Sequence, residues 1–195
     1  MADKYNVVIS CGARKAFDVE LSYTGQTPKE WLKEAKQCTQ YIAGDLYAGA
    51  PFEMVRRAKE NMPNVQFWIL SAGFGYIKWE DMIPSYDATF SGGKLKESKV
   101  KVSKEQWFDK ISLRKAPKKA IYIIPQTYMK FTDLKDKDFL VELDHTHRLC
   151  SEFGWSRIHW ARYFVELVSK QQPKTRKAFI KASKELMEIS QRGDI

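Results

Sequence analysis

Carboxylates set among aromatic and small residues are the first feature of this chain that suggests chemistry. Asp45 lies in Gly44-Asp-Leu-Tyr-Ala-Gly49, ahead of a helix start, and Asp87 closes Ile83-Pro-Ser-Tyr-Asp87, with Glu80 and Asp81 shortly before it as understudies. Splitting an N-glycosidic bond passes through an oxocarbenium-like sugar, and a nearby carboxylate stabilises that cation or orients the attacking water. Tyr47, Phe74, Tyr76 and Tyr86 are flat side chains on which an extruded base could stack. The plainer alternatives are a solvated turn residue for Asp45 and ordinary core packing for the rings.

Two small-residue segments suggest where such groups would meet. Cys11-Gly-Ala-Arg-Lys15 follows an apolar run, so Gly12 permits a tight turn and places Arg14 and Lys15 beyond a strand end, a phosphate-sized arrangement or simply an exposed turn. Ser71, Ala72, Gly73 and Gly75 follow a second apolar run and read as an open loop where backbone approaches a ligand. If the two strands are parallel neighbours, both loops share one sheet edge. Asp144-His-Thr-His147 with Cys150 offers metal-ligand types, but only His147 and Cys150 share a helical face and no second cluster completes a tetrahedral site. No metal and no cofactor is therefore expected. Cys11 has no signature placing a histidine beside it, as a Cys/His nucleophilic pair requires.

The elements that must position these residues follow from periodicity. Tyr5–Ser10, the apolar run Val65–Leu70 and Ala120–Ile124 read as strands, the last continuous enough to be interior. Thr27-Pro-Lys-Glu30 is a capping box whose helix carries Trp31, Leu32, Ala35, Cys38 and Ile42, with Cys38 expected in the core. Pro51 to about Asn61 is a second helix, and Ser103-Lys-Glu-Gln106 caps a short one bearing Trp107, Phe108 and Ile111. From Asp136 the pattern is helical through Phe139, Leu140, Leu143, His147 and Cys150; Ser156 to about Lys170 and Pro173 to Gln191 give further helices. Together these predict an α/β fold about a central, mostly parallel sheet with a helical C-terminal part.

At 195 residues one domain is expected, an α/β core with the site loops over 1–90 and a basic half, 91–195, completing sheet and helices. Residues 1–90 hold 10 Lys and Arg against 11 Asp and Glu, whereas 91–195 hold 23 against 13, so the net charge of +9 belongs to the second half. A phosphate backbone is the usual partner for such a field, although a solvated lysine-rich face is also common. Lys94, Lys96, Lys99 and Lys101 in a glycine-bearing basic loop or ribbon, then Arg114, Lys115, Lys118 and Lys119, are the expected DNA-binding residues. There is no bilayer-length apolar run and no signal-peptide pattern, and three scattered cysteines fit reduced thiols. A cytoplasmic monomer is the expectation.

The ordered segments I-S-C-G-A-R-K (9–15), G-D-L-Y-A-G-A-P-F (44–52), W-I-L-S-A-G-F-G-Y-I (68–77) and I-P-S-Y-D (83–87) resemble a bacterial and phage family related to the peroxide-stress YaaA proteins and the archaeosine transglycosylase accessory domains. Within that circle the chain is similar to bacterial anti-phage DNA glycosylases that remove modified bases. The resemblance covers residues 5–90 and implies a uracil-DNA-glycosylase-like, three-layer α/β/α fold. It also implies a first-strand loop at Cys11 to Lys15, Asp45 with Tyr47 in the pocket, a Ser71-Ala72 turn with Gly75, and Tyr86-Asp87 closing the site. This chain's own residues extend the expected substrate-binding set to Cys11, Gly12, Arg14, Lys15, Tyr47, Phe52, Ser71, Ala72, Phe74, Gly75 and Tyr86, with Asp45 or Asp87 as the catalytic carboxylate. The Gly-Gln-Asp-Pro-Tyr-type and His-Pro-Ser-type loops of the uracil enzymes are absent, so any catalytic assignment rests on this chain's own residues.

The expected function is hydrolysis of the N-glycosidic bond of a modified base, a hypermodified cytosine (for example glucosylated hydroxymethylcytosine) in double-stranded phage DNA, to leave an abasic site. Two other readings stand beside it: a DNA-binding protein without catalysis, as the YaaA likeness allows, and a nucleoside or nucleotide enzyme, for which the basic half would be superfluous.

Overall fold

The computed structural model describes residues 4–90, 98–100, 103–142 and 173–192. Strand β1 (Tyr5–Ser10) is central because both its edges are taken: β4 (Val65–Ser71) pairs in parallel on one side and β8 (Ala120–Ile124) in parallel on the other. Val7, Val8 and Ile9 are consequently buried on both faces, the reason all three strands read as continuous apolar runs. Outside β4 lies β5 (Gly75–Lys78), antiparallel, and outside β8 lies β9 (Phe139–Glu142), parallel. The result is a mixed α/β fold whose five-stranded, mostly parallel sheet has the order β5-β4-β1-β8-β9.

This order has a direction change at its middle. From β1 the chain runs to β4 on one side, and from β8 it runs to β9 on the other, so the connections diverge between the carboxyl ends of β1 and β8. In open α/β sheets such a switch point leaves a crevice where ligands bind.

The predicted caps form. Thr27 Oγ1 accepts from Glu30 N at 3.3 Å while Glu30 Oε2 accepts from Thr27 N at 2.9 Å, starting α1 (Pro28–Ala35). Ser103 and Gln106 repeat the exchange at 3.2 and 3.1 Å, opening a π-helical turn, Lys104–Phe108, that runs into α4 (Asp109–Ile111) and buries Trp107, Phe108 and Ile111. The helix α3 spans Ala50–Asn61, and the last helix, α6, spans Arg176–Arg192 behind a Thr175 whose Oγ1 accepts from Ala178 N at 3.1 Å.

Several expectations are corrected. The helix after Thr27 stops at Ala35, because β3 (Gln40–Ile42) is drawn out to pair with β6 (Met82–Pro84); Cys38 is half-buried at the surface of the core. The glycine-bracketed turn contains a helical turn, α2 (Ala43–Leu46). The helix expected from Asp136 begins instead as β9, since the free edge of β8 offers Phe139–Glu142 a ladder. Leu143, the Asp144–Cys150 cluster, the helix expected over 156–170, and Lys94, Lys96 and Lys101 lie outside the described residues. A parallel pair, β2 (Leu21–Ser22) with β7 (Tyr86–Asp87), sits apart from the main sheet. One hydrophobic core joins both halves, with Trp31, Phe52 and Tyr86 from the first and Trp107, Ile121 and Phe131 from the second. Among the described residues no helix is long and apolar enough to cross a membrane.

Candidate functional site at the carboxyl edge of the sheet

Parallel pairing brings the two small-residue segments side by side, with Cys11 N donating to Leu70 O at 3.0 Å. The segment after β1 then folds onto the 44–49 turn: Ala16 N donates to Leu46 O at 2.8 Å and Ala48 N to Arg14 O at 3.0 Å, with Lys15 bridged to Tyr47. The end of β4 turns back into β5 through Ala72-Gly73-Phe74 rather than opening outward. Ser71 Oγ accepts from Gly73 N at 3.2 Å and Phe74 N at 3.0 Å, while the indole N–H groups of Trp31 and Trp107 donate to Gly73 O and Ala72 O at 2.7 and 2.8 Å. A Cβ on Gly73 would stand 2.7 Å from the Tyr86 ring. The close approach these small residues permit is thus to Tyr86 and Trp31 within the protein.

A buried hydroxyl chain occupies this edge. Ser71 Oγ lies 2.6 Å from Tyr86 OH, which lies 2.8 Å from Tyr47 OH, and all three residues are fully buried. Because Ser71 Oγ already accepts two backbone N–H groups, its own proton goes to Tyr86, which in turn donates to Tyr47. Burial pushes both tyrosines well above the ordinary phenol range, so they remain neutral donors. Phe52 stacks on Tyr47 at 4.8 Å between ring centres, and Phe74 stands edge-on to Tyr86 at 5.1 Å.

Lys15 lies over this chain. Its Nζ is 4.9 Å from the Tyr47 ring centre and 4.6 Å from that of Tyr86, and it donates to Gly12 O at 3.0 Å. Burial pushes the Lys15 amine below the ordinary lysine range, opposed by the charges of Cys11 and Asp87. Across the β1–β8 switch point, Cys11 Sγ lies 3.0 Å from the hydroxyl of Tyr128, a buried residue on α5 (Gln126–Met129), the helical turn directly after β8.

The predicted residues therefore divide. Cys11, Gly12, Lys15, Tyr47, Phe52, Ser71, Phe74 and Tyr86 converge, with Ala72 and Gly75 shaping the turn beneath them; Gly75, at φ +65, has Ser112 against the place a Cβ would take. Asp87 is half-buried on β7, next to Tyr86 and electrostatically coupled to Lys15. Asp45 is not brought in: its side chain is 56% exposed, 3.8 Å from Arg56, whose guanidinium also ties Gly44 O and Tyr47 O. Glu80 pairs with Lys59, and Asp81 with Arg114. Arg14 is exposed, with its carbonyl holding Ala48.

Of the expected DNA contacts, Lys99 is half-buried, Lys115 is exposed, and Arg114 is forked onto Asp81 at 2.6 and 2.5 Å. Lys118 and Lys119 are exposed just before β8, at the opposite edge of the sheet from the cluster. Tyr128, Trp31 and Trp107 were not among the site residues read from sequence. Tyr128 could have been found as the aromatic four residues past a buried strand end; the tryptophans carried only a core signal. Among the described residues no group of three or more His, Cys, Asp or Glu could hold a metal ion. No family model, no curated protein and no solved structure matches the chain.

Proposed function

We propose that this protein is a DNA glycosylase that hydrolyses the N-glycosidic bond of a modified base, with hypermodified cytosine in phage DNA as substrate class and antiviral defence as its setting. One observation carries the reading. The segments 9–15, 44–52, 68–77 and 83–87, on which the family resemblance rests, meet in a single hydrogen-bonded cluster at the carboxyl edge and switch point of the sheet. Distant segments converging at that edge are what a ligand site in an open α/β sheet requires. A uracil-DNA-glycosylase-like, three-layer arrangement belongs to the same proposal.

In this mechanism the target nucleotide is flipped from the duplex toward Lys15 and the aromatic cluster. The C1′–N bond breaks with its electron pair leaving on the base, water adds to C1′, and the water's proton passes to a carboxylate. Asp87 is the carboxylate assigned here, because it adjoins Tyr86 and acts on Lys15, while Asp45 is solvated and tied to Arg56. The basic second half supplies phosphate contacts.

The test is to incubate the protein with phage DNA containing glucosylated hydroxymethylcytosine, and with unmodified DNA, and to assay abasic sites. Sites confined to the modified DNA are expected; binding without any base release overturns the assignment. That second outcome is the DNA-binding reading, which the complete burial of Tyr47 and Tyr86 favours, since a base stacks on them only after the cluster rearranges.

A further inference from the structure

We infer that Lys15 is an amine nucleophile that forms a Schiff base with C1′ of an abasic deoxyribose, giving the protein an abasic-site lyase activity. The inference rests on the glycosylase reading, whose product it consumes, and it concerns a side chain to which hydrolysis assigns no bond-making role.

Among the described residues Lys15 is the lysine whose Nζ lies over two rings, at 4.9 and 4.6 Å, whereas Lys59, Lys104 and Lys181 reach carboxylates at 3.1, 3.0 and 3.6 Å. Among the described residues Lys15 has no carboxylate within ion-pair distance: its Nζ has one hydrogen bond, to Gly12 O at 3.0 Å, and the faces of Tyr47 and Tyr86. The backbone beneath it is held by the Lys15–Tyr47 bridge and by Ala16 N donating to Leu46 O at 2.8 Å, so the amine is positioned rather than trailing in solvent. As a whole residue it is half-buried, between the fully buried tyrosines and the exposed Arg14 and Ala16. An amine attacks only when uncharged, and desolvation in an apolar setting is how proteins obtain one near neutral pH. Burial acts in that direction here, against the charges of Cys11 and Asp87. The two rings favour the cation, and the facing hydroxyls of Tyr47 and Tyr86 are neutral, so Cys11 and Asp87 are the groups that set the remaining balance.

The step balances without a further cofactor. The Lys15 lone pair adds to the open-chain C1′ aldehyde to give a carbinolamine, which takes a proton from solvent and loses water to leave an iminium. Water then removes a C2′ proton, the C3′–O electron pair leaves with the 3′-phosphate, and hydrolysis of the imine returns the amine.

The experiment uses the full chain with a duplex oligonucleotide containing one preformed abasic site, in the presence of sodium borohydride, which reduces the iminium to a stable secondary amine. A covalent adduct is expected, with peptide mapping placing the mass on Lys15, and Lys15→Arg should reduce trapping roughly 10²-fold or more. Mapping the wild-type adduct decides the question even if the variant folds poorly. Trapping should rise with pH and reach half its maximum below the ~10.4 of a solvated lysine. No adduct while modified DNA still loses bases overturns the Lys15 inference and leaves the glycosylase reading standing. An adduct on another lysine or the N-terminus also overturns it. An adduct on Lys15 without base release from modified DNA supports the amine and sinks the glycosylase reading instead.

Discussion

At the carboxyl edge of the sheet, Ser71, Tyr86 and Tyr47 are buried and joined by hydroxyl contacts of 2.6 and 2.8 Å, whereas at the amino edge Lys119, Lys137 and Arg176, with Asp136 and Asp138 among them, line an open groove of about 410 Å³. The first region is neutral, aromatic and closed around one half-buried lysine. The second is charged and exposed, and its ordered contacts are backbone ties: Asp138 accepts from Ala120 N and Lys135 N at 2.7 and 3.1 Å, and Arg176 donates to the carbonyls of Lys119 and Lys137. Lys119 adopts a left-handed backbone, φ +53, and its carbonyl accepts from Arg176 Nε at 2.9 Å. A five-residue strand spans roughly 16 Å, so the lysines before β8 do not adjoin the Cys11–Tyr86 cluster. The buried aromatic cluster and the exposed lysines before β8 therefore sit at opposite ends of the same strands.

The sharpest way to break that division is through the carboxylates. Asp87→Asn should lower base release from modified DNA by roughly 10²- to 10⁴-fold, the range for a positioned acid or base, with DNA binding retained. Asp45→Asn should leave release within about threefold of the parent, because its side chain is solvated and paired with Arg56 at 3.8 Å. Single-turnover assays of both variants check this; an Asp45 effect as large as that of Asp87 would mean the chemistry is not confined to the cluster.

Stability gives the next contrast. Tyr86→Phe removes the middle of the hydroxyl chain and leaves Ser71 Oγ–H and Tyr47 OH buried without their shared partner, which should cost about 1–3 kcal/mol. Lys137→Ala, on the exposed amino edge, should change stability by less than about 0.5 kcal/mol. Urea midpoints at unchanged m-value report both. Equal losses would mean that the carboxyl edge is no more tightly packed than the groove.

Much of the sheet could be read before folding, and the reasons differ by element. Val7–Ile9, Phe67–Leu70 and Ile121–Ile124 are buried on both faces, so their unbroken apolar character is a direct imprint of parallel pairing. Thr27 and Ser103 were legible because a cap is local, its partners only three residues away. Phe139–Glu142 was not: three apolar residues, Phe139 to Val141, have no period of their own, and the edge of β8 decides their state from outside the segment. Gly73 was legible as a close approach but not as to what, since its neighbour is Tyr86, further along the chain. The same limit applies to the carboxylates. Asp45 and Asp87 look alike in sequence, and only Arg56 on α3 and Lys15 beyond β1 distinguish them.

The smallest effect tests the amino edge itself. Lys118 and Lys119 were expected to bind DNA from charge alone, and their exposed side chains are consistent with phosphate contacts of the sequence-independent kind. Each neutralised phosphate releases counterions, so Lys118→Ala with Lys119→Ala should lessen the slope of log affinity against log salt by about 0.9 for every phosphate these lysines neutralise, equally for modified and unmodified duplexes. Base release at saturating DNA should not change, because neither residue adjoins the cluster. A variant that binds more weakly but releases bases at the parental rate separates grip from chemistry. One that fails to release bases at saturation would instead mean that duplex held at the amino edge is what positions the flipped nucleotide at the carboxyl edge, and the two ends of the sheet would then act as one surface.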